Sequence, residues 1–226
     1  MFRRVRTLQG LMLLARDGPA GRIQDLYFED AAWRARFLVA QTGRWPAGIQ
    51  VVIPPYAAIR IDTKLKALEV DLTRLEIERN PVLDTEMPVS VRLRSAQLDT
   101  VGAPMYLGFE PRTRKGALLV QDRAPHLRSA RLVTGYHVLA TDGDLGHVID
   151  LVVDDSDWTI PYLLTDTTQW RFGRPRLVAT TCVDRIEAAS SRILLRVSRG
   201  GLDSHPNLAA PANLPDIPIY NGDCPG

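Results

Sequence analysis

Polar and apolar residues alternate with a period of two along several short stretches of this chain. After Trp33, Ala35, Phe37 and Val39 fall on one side, while Arg34, Arg36 and Leu38 fall on the other. Ile160, Tyr162 and Leu164 follow Trp158 in the same way. Further along, Leu68, Val70 and Leu72 alternate with Glu69 and Asp71, and Ile193, Leu195 and Val197 repeat that pattern. Successive side chains of a strand point to opposite faces, so strict period two marks half-buried strands. Asp17-Gly18 and Asp142-Gly143 predict hairpins between such strands, because glycine accepts the positive φ of a tight turn. Gly21 and Gly146 finish the same turns. Helical character is confined to a short turn around Arg74 to Arg79.

These patterns occur twice. Gly10 to Pro81 superposes on Gly135 to Pro206 without a gap. Asp17-Gly18 meets Asp142-Gly143, Asp25-Leu26 meets Asp150-Leu151, Trp33 meets Trp158, and Trp45 meets Trp170. Later, Gly48 meets Gly173, Arg60-Ile61 meets Arg185-Ile186, and Arg74 meets Arg199. Tryptophans, glycines and aspartates held in register over that length point to internal duplication. Each copy is a small all-β domain of about five or six strands, and closure into a barrel would remove its exposed edges. A domain of roughly 70 residues buries only about 60% of its unfolded surface. Packing of one copy on the other, or of two chains as a homodimer, is therefore expected.

The linker from Val82 to Leu127 begins with an alternation at Val89, Val91 and Leu93 that predicts one more strand, then turns irregular through Gly102, Pro104, Pro111 and Pro125. Arg112, Arg114 and Lys115 form a small basic group in it, read most simply as a solvated loop. Beyond Pro206, the tail carries Pro211, Pro215, Pro218 and Pro225 with few large apolar residues, which favours an extended conformation. The boundaries are 1–90 for the first barrel, 91–127 for the linker, 128–206 for the second barrel and 207–226 for the tail.

Composition narrows the function without naming it. The 226 residues are 45% hydrophobic and 24% charged, an ordinary globular balance. A net charge of +2 is too weak to announce a nucleic-acid or membrane-surface binder. The basic residues are almost all arginine, with Lys64, Lys66 and Lys115 the only lysines. No stretch approaches the roughly 20 apolar residues of a membrane span, so no membrane insertion and a cytoplasmic location are expected. Cys182 and Cys224 are expected to be reduced thiols in that compartment.

Candidate chemistry centres on the second hairpin. Asp142, Asp144, Asp150, Asp154, Asp155 and Asp157 invite a cation hypothesis, but the spacing lacks the terminal glutamate of an EF-hand. In the first copy Asp144 becomes Pro19, Asp154 becomes Glu29 and Asp157 becomes Ala32. Aspartates serving their own turns are the favoured reading. His137 and His147 flank the hairpin and could approach across an antiparallel pair, as zinc ligands do, but no third ligand is evident. The tryptophans could stack on nucleic-acid bases, though filling a small core is favoured. Asp25 and Asp150 stand among apolar residues that would shift their pKa values. No nucleophile motif or glycine-rich phosphate loop is present, so the chain is expected to be no enzyme and to need no cofactor.

The run ATDGDLGHVIDLVVDDSDWTIPYLLTDT, with the later Trp170 and Gly173, resembles the PRC-barrel family. The first copy, RDGPAGRIQDLYFEDAAWRARFLVAQTGRW, is similar. DTEMPVS and PHLRSARLVTGYHVLATDG resemble bacterial proteins with two such barrels in tandem. The family is that of the cytoplasmic domain of the photosynthetic reaction-centre H subunit and of the C-terminal domain of a ribosome maturation factor. No counterpart of the membrane helix of the one or of the extra N-terminal barrel of the other is expected, so neither specific function transfers. The resemblance implies two PRC-type barrels and a non-enzymatic protein-binding or assembly role on a larger complex. An RNA- or ribosome-associated factor is the alternative, though RNA is the less favoured partner. A metal-binding protein or enzyme ranks last.

Overall fold

A computed structural model describes residues 1–43, 48–62, 64–80, 82–84, 92–94, 118–119, 127–166, 175–204 and 219–220. Trp45, Arg112, Arg114, Lys115, Trp170, Gly173 and Cys224 lie outside the described residues, as do Val89, Val91 and most of the linker and tail. The fold is all-β. Helix among the described residues amounts to α1 (Arg74–Arg79), α2 (Ala130–Val133), α3 (Arg199–Ser204) and short 3-10 turns. Two compact units interleave along the chain. One gathers Met1–Gln9, Asp25–Arg36 and His126–Gly226, and the other gathers Gly10–Gln24 and Phe37–Pro125.

In the second of these units, β2 (Met12–Ala15) and β3 (Gly18–Glu29) form the predicted hairpin, with Ala15 opposite Gly18. Gly21 is required there by space as well as by its φ of +148°, since a Cβ would meet the Gln41 carbonyl oxygen at 2.1 Å. β4 (Arg34–Thr42) returns beside β3 and pairs with β5 (Ile49–Ile53). β6 (Ala58–Asp62) and β7 (Ala67–Val70) form a second hairpin, with β7 parallel to β2. The short β8 (Val82–Asp84), β9 (Arg92–Arg94) and β10 (Leu118–Leu119) extend the sheet beyond β5. The predicted alternation of β4 holds only at its start. Arg34 and Arg36 are exposed, but Leu38 and Ala40 are as fully buried as Val39, so the strand is covered on both faces from Phe37 onward. Leu13, Ile23, Ile53, Leu68 and Ile77 are also fully buried.

The other unit repeats this plan. β12 (His137–Ala140) pairs with β13 (Gly143–Asp154), which pairs with β14 (Tyr162–Asp166) and through it with β15 (Arg176–Ala179). β16 (Val183–Glu187) and β17 (Arg192–Leu195) form the hairpin whose second strand runs parallel to β12. In the tail, β18 (Ile219–Tyr220) adds in parallel to β15, so part of it belongs to the sheet. Matched positions share unusual backbone: φ is 48° at Trp33 and 61° at Trp158, and 49° at Lys66 and 52° at Ser191. These are conformations that bulky residues rarely adopt.

Two short strands cross between the halves of the sequence within this unit. β1 (Phe2–Arg4) pairs with Val152–Asp154 of β13. β11 (Leu127–Ser129) pairs with Tyr27–Glu29, the part of β3 that belongs to this unit. The turns answer each other as well: the Ala35 N–H donates to the Trp158 carbonyl at 2.8 Å, and the Ile160 N–H donates to the Trp33 carbonyl at 2.7 Å. Phe2 packs on Tyr162 beside the buried Val152, Leu164 and Leu177.

Among the described residues no ladder joins the ends of either sheet, where closed barrels are expected from the sequence. One path ends at β6 and β10, the other at β16 and β18. A bulge interrupts each terminal hairpin at matching places, between Ala58 and Arg60 and between Val183 and Arg185. Bulges bend and twist a strand away from further pairing. Cys182 is fully buried and disulfide-bonded, contrary to the expectation of reduced thiols. No helix among the described residues is long and apolar enough to cross a membrane.

Candidate functional site

The predicted hairpin cluster comes together only in part. His137 and His147 are direct partners across β12 and β13, with ring centroids 5.9 Å apart. Asp144 adds a carboxylate oxygen 3.5 Å from His137 Nδ1, while its other oxygen accepts the Gly146 N–H at 2.7 Å. The His137 and Asp144 side chains are about half exposed. No group of three or more histidine, cysteine, aspartate or glutamate side chains among the described residues is arranged to hold a metal. Asp142 stands apart from them. Its Oδ1 accepts the Arg199 N–H at 2.7 Å and so caps α3, and this bond holds its carboxyl below the ordinary range. Asp17 likewise accepts the N–H of Arg74, the first residue of α1, at 2.8 Å. Asp142 therefore serves a distant helix rather than its own turn alone. Arg112 and Arg114 lie outside the described residues.

Asp154 and Asp157 do serve local turns, accepting the N–H groups of Ser156 and Thr159. Trp158 is 8% exposed, and Trp33 stacks on Phe28 with centroids 5.3 Å apart, so both rings pack rather than present a stacking platform.

Asp25 and Asp150 hold the crossing segments. Asp25 Oδ1 accepts the N–H groups of Leu26 (2.8 Å) and Arg131 (3.1 Å), and Oδ2 accepts the Ser129 hydroxyl. Asp150 Oδ1 accepts the N–H groups of Leu151 (2.8 Å) and Arg6 (3.1 Å). Burial pushes both carboxyls above their ordinary value, and the donors only partly offset it. The Arg128–Asp30 ion pair at 2.7 Å backs the first seam. Every described hydrogen bond to these carboxylates is donated by the chain's own backbone or by Ser129, so they build structure.

The terminal strands of the two sheets carry different edge chemistry. At its bulge β16 carries Asp184, which pairs with Arg185 at 2.8 Å and lies 3.4 Å from Arg196. Charge on an edge strand discourages further strand addition. The matching residue of β6 is Ile59, 62% exposed. Leu65, in the turn after β6, is 63% exposed, and Tyr56, just before β6, is 57% exposed. Their counterparts are Ser190 and Thr181. Period-two reasoning misses this edge because Ile59 looks like any strand residue. Reading the two copies against each other, isoleucine against aspartate, was the available signal.

No family model matches the chain, and no curated protein matches it.

Proposed function

We propose that this chain is a non-enzymatic protein-binding and assembly module, a duplicated pair of PRC-type barrels that docks a partner through the β6 edge, which ends its sheet among the described residues. The observation that carries the reading is the asymmetry between two equivalent edges, Asp184 on β16 against an exposed Ile59 on β6. Both edges carry a bulge, so charge is what separates them: β6 lacks the carboxylate that Asp184 sets on β16, and an edge strand with an exposed apolar side chain there can still take another chain. The paired hairpins, the paired left-handed tryptophans and the paired aspartates Asp25 and Asp150 support the duplication, while the family reading rests on the sequence resemblance.

The test is the size of the native complex. In nuclease-treated lysate of the host, the wild-type chain is expected to elute well above its own 25.2 kDa. Ile59→Asp is expected to return it to the free position, and Asp184→Asn to leave it in the complex. Elution of wild type and Ile59→Asp together would overturn the reading. Collapse of the complex on nuclease treatment would favour an RNA-linked role instead.

A further inference from the structure

We infer that the occupant of the β6 edge is an extended acidic segment of another protein, one that alternates carboxylates with apolar side chains. The inference rests on β6 being the docking edge and goes on to specify its partner. Carboxylates around this edge are already engaged. Glu69 accepts Arg60 Nη2 at 2.6 Å, and Asp62 Oδ1 accepts the N–H groups of Lys64 and Leu65, each at 2.9 Å. Lys64 and Lys66 flank the exposed Leu65 with no ion-pair partner among the described residues, and they are two of the three lysines in the chain. At the matching turn of the other copy stand Ala189, Ser190 and Ser191. Among the described residues, the β6 hairpin therefore joins a strand edge that ends its sheet, apolar surface at Ile59 and Leu65, and two lysines without an ion-pair partner. A strand laid along β6 would bond to its backbone, place apolar side chains on Ile59 and Leu65, and bring carboxylates to the lysines. A second copy of β6 fits less well, because it would bring the same lysines where carboxylates would complement them.

The experiment uses the full chain, labelled with ¹⁵N, and two blocked octapeptides, alternating Glu-Val and alternating Lys-Val. The Glu-Val peptide is expected to shift the amides of Ile59 to Leu65, and not those of Asp184 to Ser190. It should bind at least about tenfold tighter than the Lys-Val peptide, the scale of two favourable charge contacts. Lys64→Ala with Lys66→Ala is expected to erase that preference, and Ile59→Asp to abolish binding of either peptide. Equal binding of the two peptides at β6, lost in Ile59→Asp, would overturn the acidic preference and leave the docking edge standing. Shifts confined to other strands, or none at about 2 mM peptide, a weak-complex concentration, would remove both. Dilution-dependent shifts at Ile59 to Asp62 without peptide would make a second copy the occupant and overturn the inference.

Discussion

Asp25 is 6% exposed and accepts three hydrogen bonds, two of them from residues more than a hundred positions away. Truncation and neutralisation should therefore act differently. Asp25→Ala strands the N–H of Leu26, the N–H of Arg131 and the Ser129 hydroxyl, and should cost roughly 3 kcal/mol in urea denaturation. Asp25→Asn keeps an oxygen for both N–H groups and offers its amide to the Ser129 oxygen, so it should cost far less. The same seam sets a pH dependence. Burial raises the folded carboxyls of Asp25 and Asp150 above the ordinary value of 3.8, so they take up protons more readily folded than unfolded. Their contribution to stability is full below that value and is lost as pH rises through the raised folded values. The double variant Asp25→Asn with Asp150→Asn should thus gain in urea midpoint relative to wild type between pH 3 and pH 7. A constant difference across that range would mean that neither carboxyl is raised.

Hairpins and the phases of β7 and β17 were legible along the chain, because Asp-Gly turns and period-two runs are local signals, whereas the alternation expected of β4 and β14 fails where both faces are covered. The β2–β3 and β12–β13 hairpins fall at the Asp-Gly dipeptides, and α1 falls where helical character is predicted. α1 begins at a capping box of Thr73 and Glu76, a motif readable from sequence in principle. Which strand ends a sheet is not local. Ile59 and Asp184 occupy equivalent bulges, and only the pairing on the inner side reveals that both strands end their sheets. Edge chemistry makes its own prediction at this scale. Asp184→Ile should remove the guard of β16 and give the chain a second adhesive edge. Light scattering should then rise with concentration more steeply than in wild type, and adding Ile59→Asp should only partly reverse it. Scattering unchanged by Asp184→Ile would mean that the bulge alone protects these edges.

At the scale of the whole chain, the repeat suggests two sequential domains, while the contacts divide it otherwise. Repeats reveal what is duplicated, but a period-two pattern does not say which strand a segment joins. That is why the pairing of β1 with β13 and of β11 with β3 leaves no trace in the alternation. One compact unit consequently draws on both sides of the linker, Met1–Gln9 and Asp25–Arg36 from one and His126–Gly226 from the other. Two antiparallel ladders, the Arg128–Asp30 pair, the Asp25 and Asp150 hydrogen bonds and the packing of Phe2 on Tyr162 tie these pieces together without passing through the linker. A protease site inserted between residues 95 and 117, then cut in the folded protein, tests this directly. The two fragments should co-elute in native buffer at the size of the intact chain and separate only in denaturant. Ser129→Ala with Asp25→Ala should weaken the nicked complex far more than the intact protein, because in the nicked form those bonds oppose dissociation as well as unfolding. Fragments that part on cutting would mean that the covalent linker, rather than the crossing strands, holds the two halves of the sequence together.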